Sequence, residues 1–113
     1  MHEVGIMLEA VRLAEESARA QGSARIRLLK LRVGALSGAV PDALRFAFEA
    51  VAAGTLAEGA TLAIETVPAR WWCGTCQAEF AADDPLAACP RCQNWSGDLR
   101  GGRELEISTL ELS

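Results

Sequence analysis

The chain has 113 residues, half of them hydrophobic and 23% charged, with a net charge of -4 at pH 7 and a pI near 5.0. That length holds one domain and at most a small appendage, and the composition is that of a folded chain, not a disordered one. An acidic balance with no basic run argues against a general affinity for nucleic acid, no run approaches the roughly 18–20 apolar residues of a membrane span, and Met1-His2-Glu3-Val4 lacks the parts of a secretory signal, so a cytoplasmic protein is expected.

Residues 4–20 carry apolar side chains at Val4, Met7, Leu8, Val11, Ala14 and Ala18, the spacing of one helix face, and Gly22 supplies a stop. Residues 24–33 read as a strand in which Leu29, Leu31 and Val33 alternate with Lys30 and Arg32. Ile26 and Leu28 fall on the opposite parity. Either a bulge interrupts the strand near Leu28-Leu29, or its first half packs on the other face. Residues 34–40 contain two glycines and form a loop. Pro41 opens a second helix, where its missing N–H does no harm, with a stripe of Leu44, Ala47, Phe48 and Val51 ending at Gly54. A second strand spans 61–67 and stops at Pro68.

Residues 71–102 differ in kind. They hold all four cysteines, all three tryptophans and two of the four prolines, with little periodicity. Strand character returns over 104–112 through Leu105, Ile107, Leu110 and Leu112, with a phase slip near Thr109. This order predicts an α+β fold of two helices on a three-stranded sheet, with an inserted zinc-ribbon-like lobe carrying the four cysteines. The expected division is 1–69 plus 103–113 as an α/β domain and 70–102 as the lobe. The junctions near Trp71 and Gly102 could act as hinges for a domain-swapped homodimer.

The lobe's pattern is Cys73-Gly-Thr-Cys76, twelve residues, then Cys89-Pro-Arg-Cys92. Two residues between cysteines let both sulfurs of a pair reach one ion from a tight turn, and two pairs close a tetrahedral four-thiolate site. The spacer is long enough for a β-hairpin between the knuckles. A lobe of about thirty residues buries little apolar surface and needs a staple, for which zinc held by Cys73, Cys76, Cys89 and Cys92 is the expected solution. Such a site has no open position and should be structural. Four thiolates around Zn2+ leave a charge of about -2, which Arg70 and Arg91 are near enough in sequence to soften. Disulfides, free redox cysteines and a rubredoxin-like iron site are the competing readings.

His2 is the only histidine. Methionine aminopeptidases generally spare Met before a large residue, so Met1 should remain. The Met1 amine, the His2 amide nitrogen and the His2 imidazole can then form fused chelate rings around one ion, with the Glu3 amide as a fourth nitrogen. Four nitrogens in a plane favour Ni(II) or Cu(II) over zinc. Deprotonated amides should release the metal as pH falls. The bland alternatives are a surface histidine without a task and an acidic Glu3 favouring the helix dipole.

Taken together, these residues resemble the HypA/HybF family of hydrogenase maturation nickel metallochaperones. The likeness runs through Met1-His2-Glu3, Gly34-Ala-Leu-Ser-Gly38, Pro41-Asp-Ala-Leu-Arg-Phe-Ala-Phe-Glu49, Gly54-Thr55 with Glu58-Gly-Ala60, both cysteine pairs, and Gly102-Arg-Glu-Leu-Glu-Ile107. The resemblance implies Ni(II) bound by His2 and the N-terminal backbone, with Glu3 beside the site, and a structural zinc lobe. It implies delivery of nickel to the [NiFe]-hydrogenase large-subunit precursor together with the HypB GTPase; some members also serve urease maturation. Three departures stand out. Gly5 replaces a serine common in relatives, so the first helical turn should be less well capped. Gln93-Asn94 replaces Gly-Ser after the second cysteine pair. No histidine flanks the cysteines, so a Cys-to-His exchange at zinc is closed to this chain.

Enzymatic readings find no support. One N-terminal histidine builds no nucleophilic triad, and no phosphate-binding G-x-x-x-x-G-K-[ST] loop is present. The other readings are a zinc-ribbon protein-interaction or nucleic-acid module, with Trp71, Trp72 and Trp95 available to stack, and an electron carrier with iron at the four-cysteine site.

Overall fold

In the computed structural model, which describes residues 2–83 and 87–113, the first amphipathic segment is helix α1 (Glu3–Ala20). Met7, Ala10, Val11, Ala14 and Ala18 form its buried face. Val4 and Leu8 do not: they are 58% and 55% exposed. Leu8 sits about 100° from the stripe's centre, and Val4 lies in the first turn where fewer neighbours reach it. The helix ends as expected at Gly22, whose φ is +70°. Gly22 N–H donates to the Arg19 carbonyl at 3.0 Å and Ser23 N–H to that of Ala18 at 2.9 Å, the paired bonds of a glycine-terminated helix.

The chain continues through β1 (Ile26–Gly34), α2 (Pro41–Ala52), β2 (Thr61–Val67), β3 (Arg70–Cys73), β4 (Ala78–Ala81), β5 (Ala87–Ala88), β6 (Trp95–Ser96), β7 (Leu99–Gly101) and β8 (Leu105–Leu112). β1 is central in a three-stranded sheet, with β2 parallel on one side and β8 antiparallel on the other. α2 supplies the crossover that a parallel pair requires. The core lies between this sheet and the two helices, around Met7, Ile26, Leu29, Leu31, Val33, Leu44 and Phe48.

Both phase slips are bulges. The β1–β8 register shifts between Ile26 and Leu28, which returns Ile26 to the buried face with Leu29, Leu31 and Val33. It shifts again between Lys30 and Leu31, where Thr109 and Ile107 are the successive partners. Ser108 is thereby skipped, and Ile107 packs against the same core as Leu110 and Leu112.

The cysteine segment builds two small sheets, β4-β3-β7 and β5-β6. This corrects one expectation. Among the described residues, β4 and β5 do not pair to make a hairpin between the knuckles. β4 pairs back on β3 and β6 pairs back on β5, so each knuckle is the tip of its own hairpin. The reason is local: a C-x-x-C turn already reverses the chain, and strands on either side of a reversal pair with each other.

The lobe meets the sheet at Gly102, whose carbonyl accepts Leu36 N–H at 2.7 Å. Beside it, Gly34 N–H donates to the Glu104 carbonyl at 2.7 Å and Ala35 N–H to that of Val67 at 2.8 Å. Gly102 has φ +117°, and a Cβ there would lie 2.6 Å from the Cα of Ala69. The molecule is elongated, 54 × 26 × 16 Å with a radius of gyration of 17.3 Å. A single compact body of this length would give about 13 Å. Among the described residues, no helix is long and apolar enough to cross a membrane.

Candidate metal centre

β3 delivers Cys73 to the lobe's first turn, and Cys89 follows β5 into the second. One ligand atom from each of Cys73, Cys76, Cys89 and Cys92 falls within 4.8 Å of every other. The Cys73–Cys92 sulfurs are 3.5 Å apart and the Cys76–Cys89 sulfurs 3.8 Å. A disulfide needs about 2.05 Å. Tetrahedral thiolates at about 2.3 Å from zinc stand about 3.8 Å from one another. Both of these contacts run from one knuckle to the other, as expected if the two pairs converge on one point. The donor set and spacing therefore fit a single ion, with Cys73 and Cys89 buried and Cys76 and Cys92 partly covered.

Of the two arginines expected to soften the site's charge, Arg70 pairs with Glu79 at 3.6 Å. Backbone amides act at the sulfurs. Cys76 N–H donates to Cys73 Sγ at 3.4 Å. The amides of Cys92 and Arg91 hold the Cys89 thiol down to about 6. Cys76 is pushed up to about 12 by the neighbouring Cys92 sulfur and by burial. Crowding of four sulfurs opposes their joint ionisation, and a divalent ion is what lets all four ionise.

The residues after each pair carry information that sequence reading underused. Gln77 and Gln93 each follow the second cysteine of a pair, and both have positive φ, 51° and 68°. The shared position was the available signal. At the second knuckle Gln93 N–H donates to the Cys89 carbonyl at 2.8 Å and Cys89 N–H to that of Asn94 at 2.9 Å. Asn94 Nδ2 then reaches Thr75 Oγ1 at 2.9 Å, tying one knuckle to the other. The Gln93-Asn94 departure thus keeps the turn closed.

The tryptophans divide. Trp71 is buried and donates its ring N–H to the Ala82 carbonyl at 2.8 Å. Arg100 covers the Trp72 ring at 4.8 Å. Trp95 alone of the three is widely open, at 71%. A row of three stacking platforms for bases is therefore not formed.

His2 and Glu3 are not brought to the cysteines. Among the described residues, the four cysteines are the one set of three or more His, Cys, Asp or Glu side chains close enough to share an ion. His2 is exposed at the N-cap of α1, with φ -109° and ψ 44°, and makes no capping bond. That agrees with the poorer capping expected beside Gly5. Glu3 is the first helical residue, and its carboxylate accepts the Val40 N–H at 3.2 Å. Met1, whose amine the chelate reading requires, lies outside the described residues.

Residues 1–112 match the family model described as HypA, hydrogenase/urease nickel incorporation metallochaperone. The chain is 48% identical over 112 residues to the hydrogenase maturation factor HypA of Picosynechococcus sp., covering 99% of each chain. It is 46% identical to the same factor of Chloroflexus aurantiacus, covering 98% of each, and 43% identical to that of Geobacter sulfurreducens, covering 99% of each. The solution structure of the Ni metallochaperone HypA from Helicobacter pylori matches its fold with a TM-score of 0.68 at 23% identity, over 99% of this chain and 97% of that one.

Proposed function

The chain belongs to the HypA family of hydrogenase/urease nickel-incorporation metallochaperones, and on that premise we propose that it binds Ni(II) at its N-terminus and hands it to the [NiFe]-hydrogenase large-subunit precursor. As a metallochaperone it is not an enzyme. Nickel is its cargo, and the residues proposed to carry it are the Met1 amine, the His2 amide and imidazole, and the Glu3 amide.

One observation supports this reading above the others. The first hydrogen bond of α1 runs from Ile6 N–H to the His2 carbonyl at 2.9 Å. The helix therefore has no use for the amide protons of its first residues. Nickel can displace the protons of the His2 and Glu3 amides without breaking a helical bond. Two anionic nitrogens then balance the charge of Ni2+, and the positive end of the helix favours their ionisation. The exposed imidazole completes the set and can be exchanged for a recipient's ligand.

The second part of the proposal is that Cys73, Cys76, Cys89 and Cys92 hold one structural Zn2+, and that residues 70–102 form a lobe depending on it. Zinc would supply cross-linking there, not chemistry. The HypB GTPase and a cytoplasmic setting complete the reading, because the delivery chain has no nucleotide-binding loop of its own.

Two measurements test these parts. Elemental analysis of purified protein should find about one zinc per chain; stoichiometric iron would instead favour electron transfer. Protein loaded with radioactive nickel should pass it to the large-subunit precursor faster than free nickel enters in the presence of a competing chelator. Transfer no faster than through that chelator would contradict delivery.

A further inference from the structure

The carboxylate beside His2 does not hang free. Its bond to Val40 N–H spans 37 residues of sequence and joins the start of α1 to the start of α2. Val40 is the stiffer end. It is the N-cap of α2, its carbonyl accepts Leu44 N–H at 3.0 Å, and Pro41 follows it. Neither helix start is closed by a side chain of its N-cap residue, and Glu3 has no proline beside it. The cleft between the two helix starts is otherwise lined by His2 and by Val4, Gly5, Ala43, Phe46 and Ala47, so the bond is a polar tie across a largely apolar gap.

The consequence falls on one atom. The Glu3 amide nitrogen lies between the His2 carbonyl, held by Ile6 N–H, and the Glu3 side chain, held by Val40 N–H. It is anchored on both sides. We infer that Glu3 is a positioning residue: its carboxylate does not ligate nickel, but latches α1 to Val40 N–H and so presents the His2 and Glu3 nitrogens together to the ion. This rests on the N-terminal nickel reading and gives Glu3 a distinct task within it. Ordering the first residues is part of the cost of binding, and the latch meets some of it before the metal arrives.

The test uses the full chain and reads nickel affinity, the visible spectrum of the nickel complex and, in metal-free protein, the exchange rate of the Val40 amide proton. Glu3→Ala and Val40→Pro each remove one end of the latch, and each should weaken nickel binding about five- to tenfold. The double variant should be no weaker than either single one. Glu3→Gln keeps an acceptor oxygen and should recover most of the affinity, and Val40→Ala keeps the N–H and should match the parent. A loss on Glu3→Ala and Glu3→Gln but not on Val40→Pro would make the carboxylate a ligand and overturn the inference. Unchanged affinity in both single variants would also overturn it. Should Val40→Pro fail to fold, the Val40 proton decides: it should exchange faster in Glu3→Ala than in the parent, and an equal rate contradicts the latch. A chain extended at its N-terminus that binds nickel as tightly as the parent would sink the N-terminal site itself, and the latch with it.

Discussion

Gln77 and Gln93 show what the knuckles ask of single residues. Each must take a left-handed conformation that costs a side-chain-bearing residue about 1–2 kcal/mol. Gln93→Gly should therefore stabilise the zinc-loaded lobe by about 1 kcal/mol, read as slower zinc loss to a chelator; unchanged or faster loss would show that the Gln93 side chain matters more than its backbone. The cysteines set the opposite limit. Cys73 is buried among the other three sulfurs. Cys73→Ser should weaken zinc binding by well over tenfold and shift its release to higher pH, measured by competition with a coloured chelator. The pH sense follows from the thiols: protonation competes with metal, so zinc leaves as pH falls.

Among the elements, the junction between sheet and lobe is the most constrained. Glu104 at the head of β8 accepts Gly102 N–H at 2.6 Å. Its own amide and that of Gly102 hold its carboxyl below the ordinary value of 4.5. A depressed folded value stabilises the native state fully above the unfolded value, and that contribution is lost as pH falls through the folded one. Glu104→Gln should accordingly lower the melting temperature at pH 7 and narrow the gap from the parent below about pH 4. Gly102→Ala should cost at least about 2 kcal/mol, since both its φ and its contact with Ala69 exclude a Cβ. Much of this level was legible in the sequence. Period-3.6 and period-2 patterns gave both helices and all three sheet strands, and opposite parities marked where the strands slip, while a bulge and a change of packing face stayed open at Ile26. The knuckle hairpins and the Glu104–Gly102 junction were not legible. They depend on which strands meet in space, and short strands such as Ala87–Ala88 carry no period to read. The Glu3–Val40 bond was hidden for the same reason, because no local pattern links residues 37 apart.

At the scale of the molecule, two proposed metal sites stand at separate parts of an elongated chain with different ligand logic. The cysteine site is all side chain and closed. The N-terminal site would be largely backbone and open, which is why side-chain clustering alone does not display it. If the lobe depends on zinc and the α/β domain on its own core, chelation should abolish lobe signals such as the buried Trp71 fluorescence while most helical circular dichroism survives; loss of both together would show one cooperative unit. The most direct test of nickel carriage is a nickel titration of zinc-loaded protein with its native N-terminus, set beside His2→Ala and a form extended at the N-terminus. Tight binding of about one nickel in the native form, lost in both others, is the predicted result. Equal affinity in all three would contradict it.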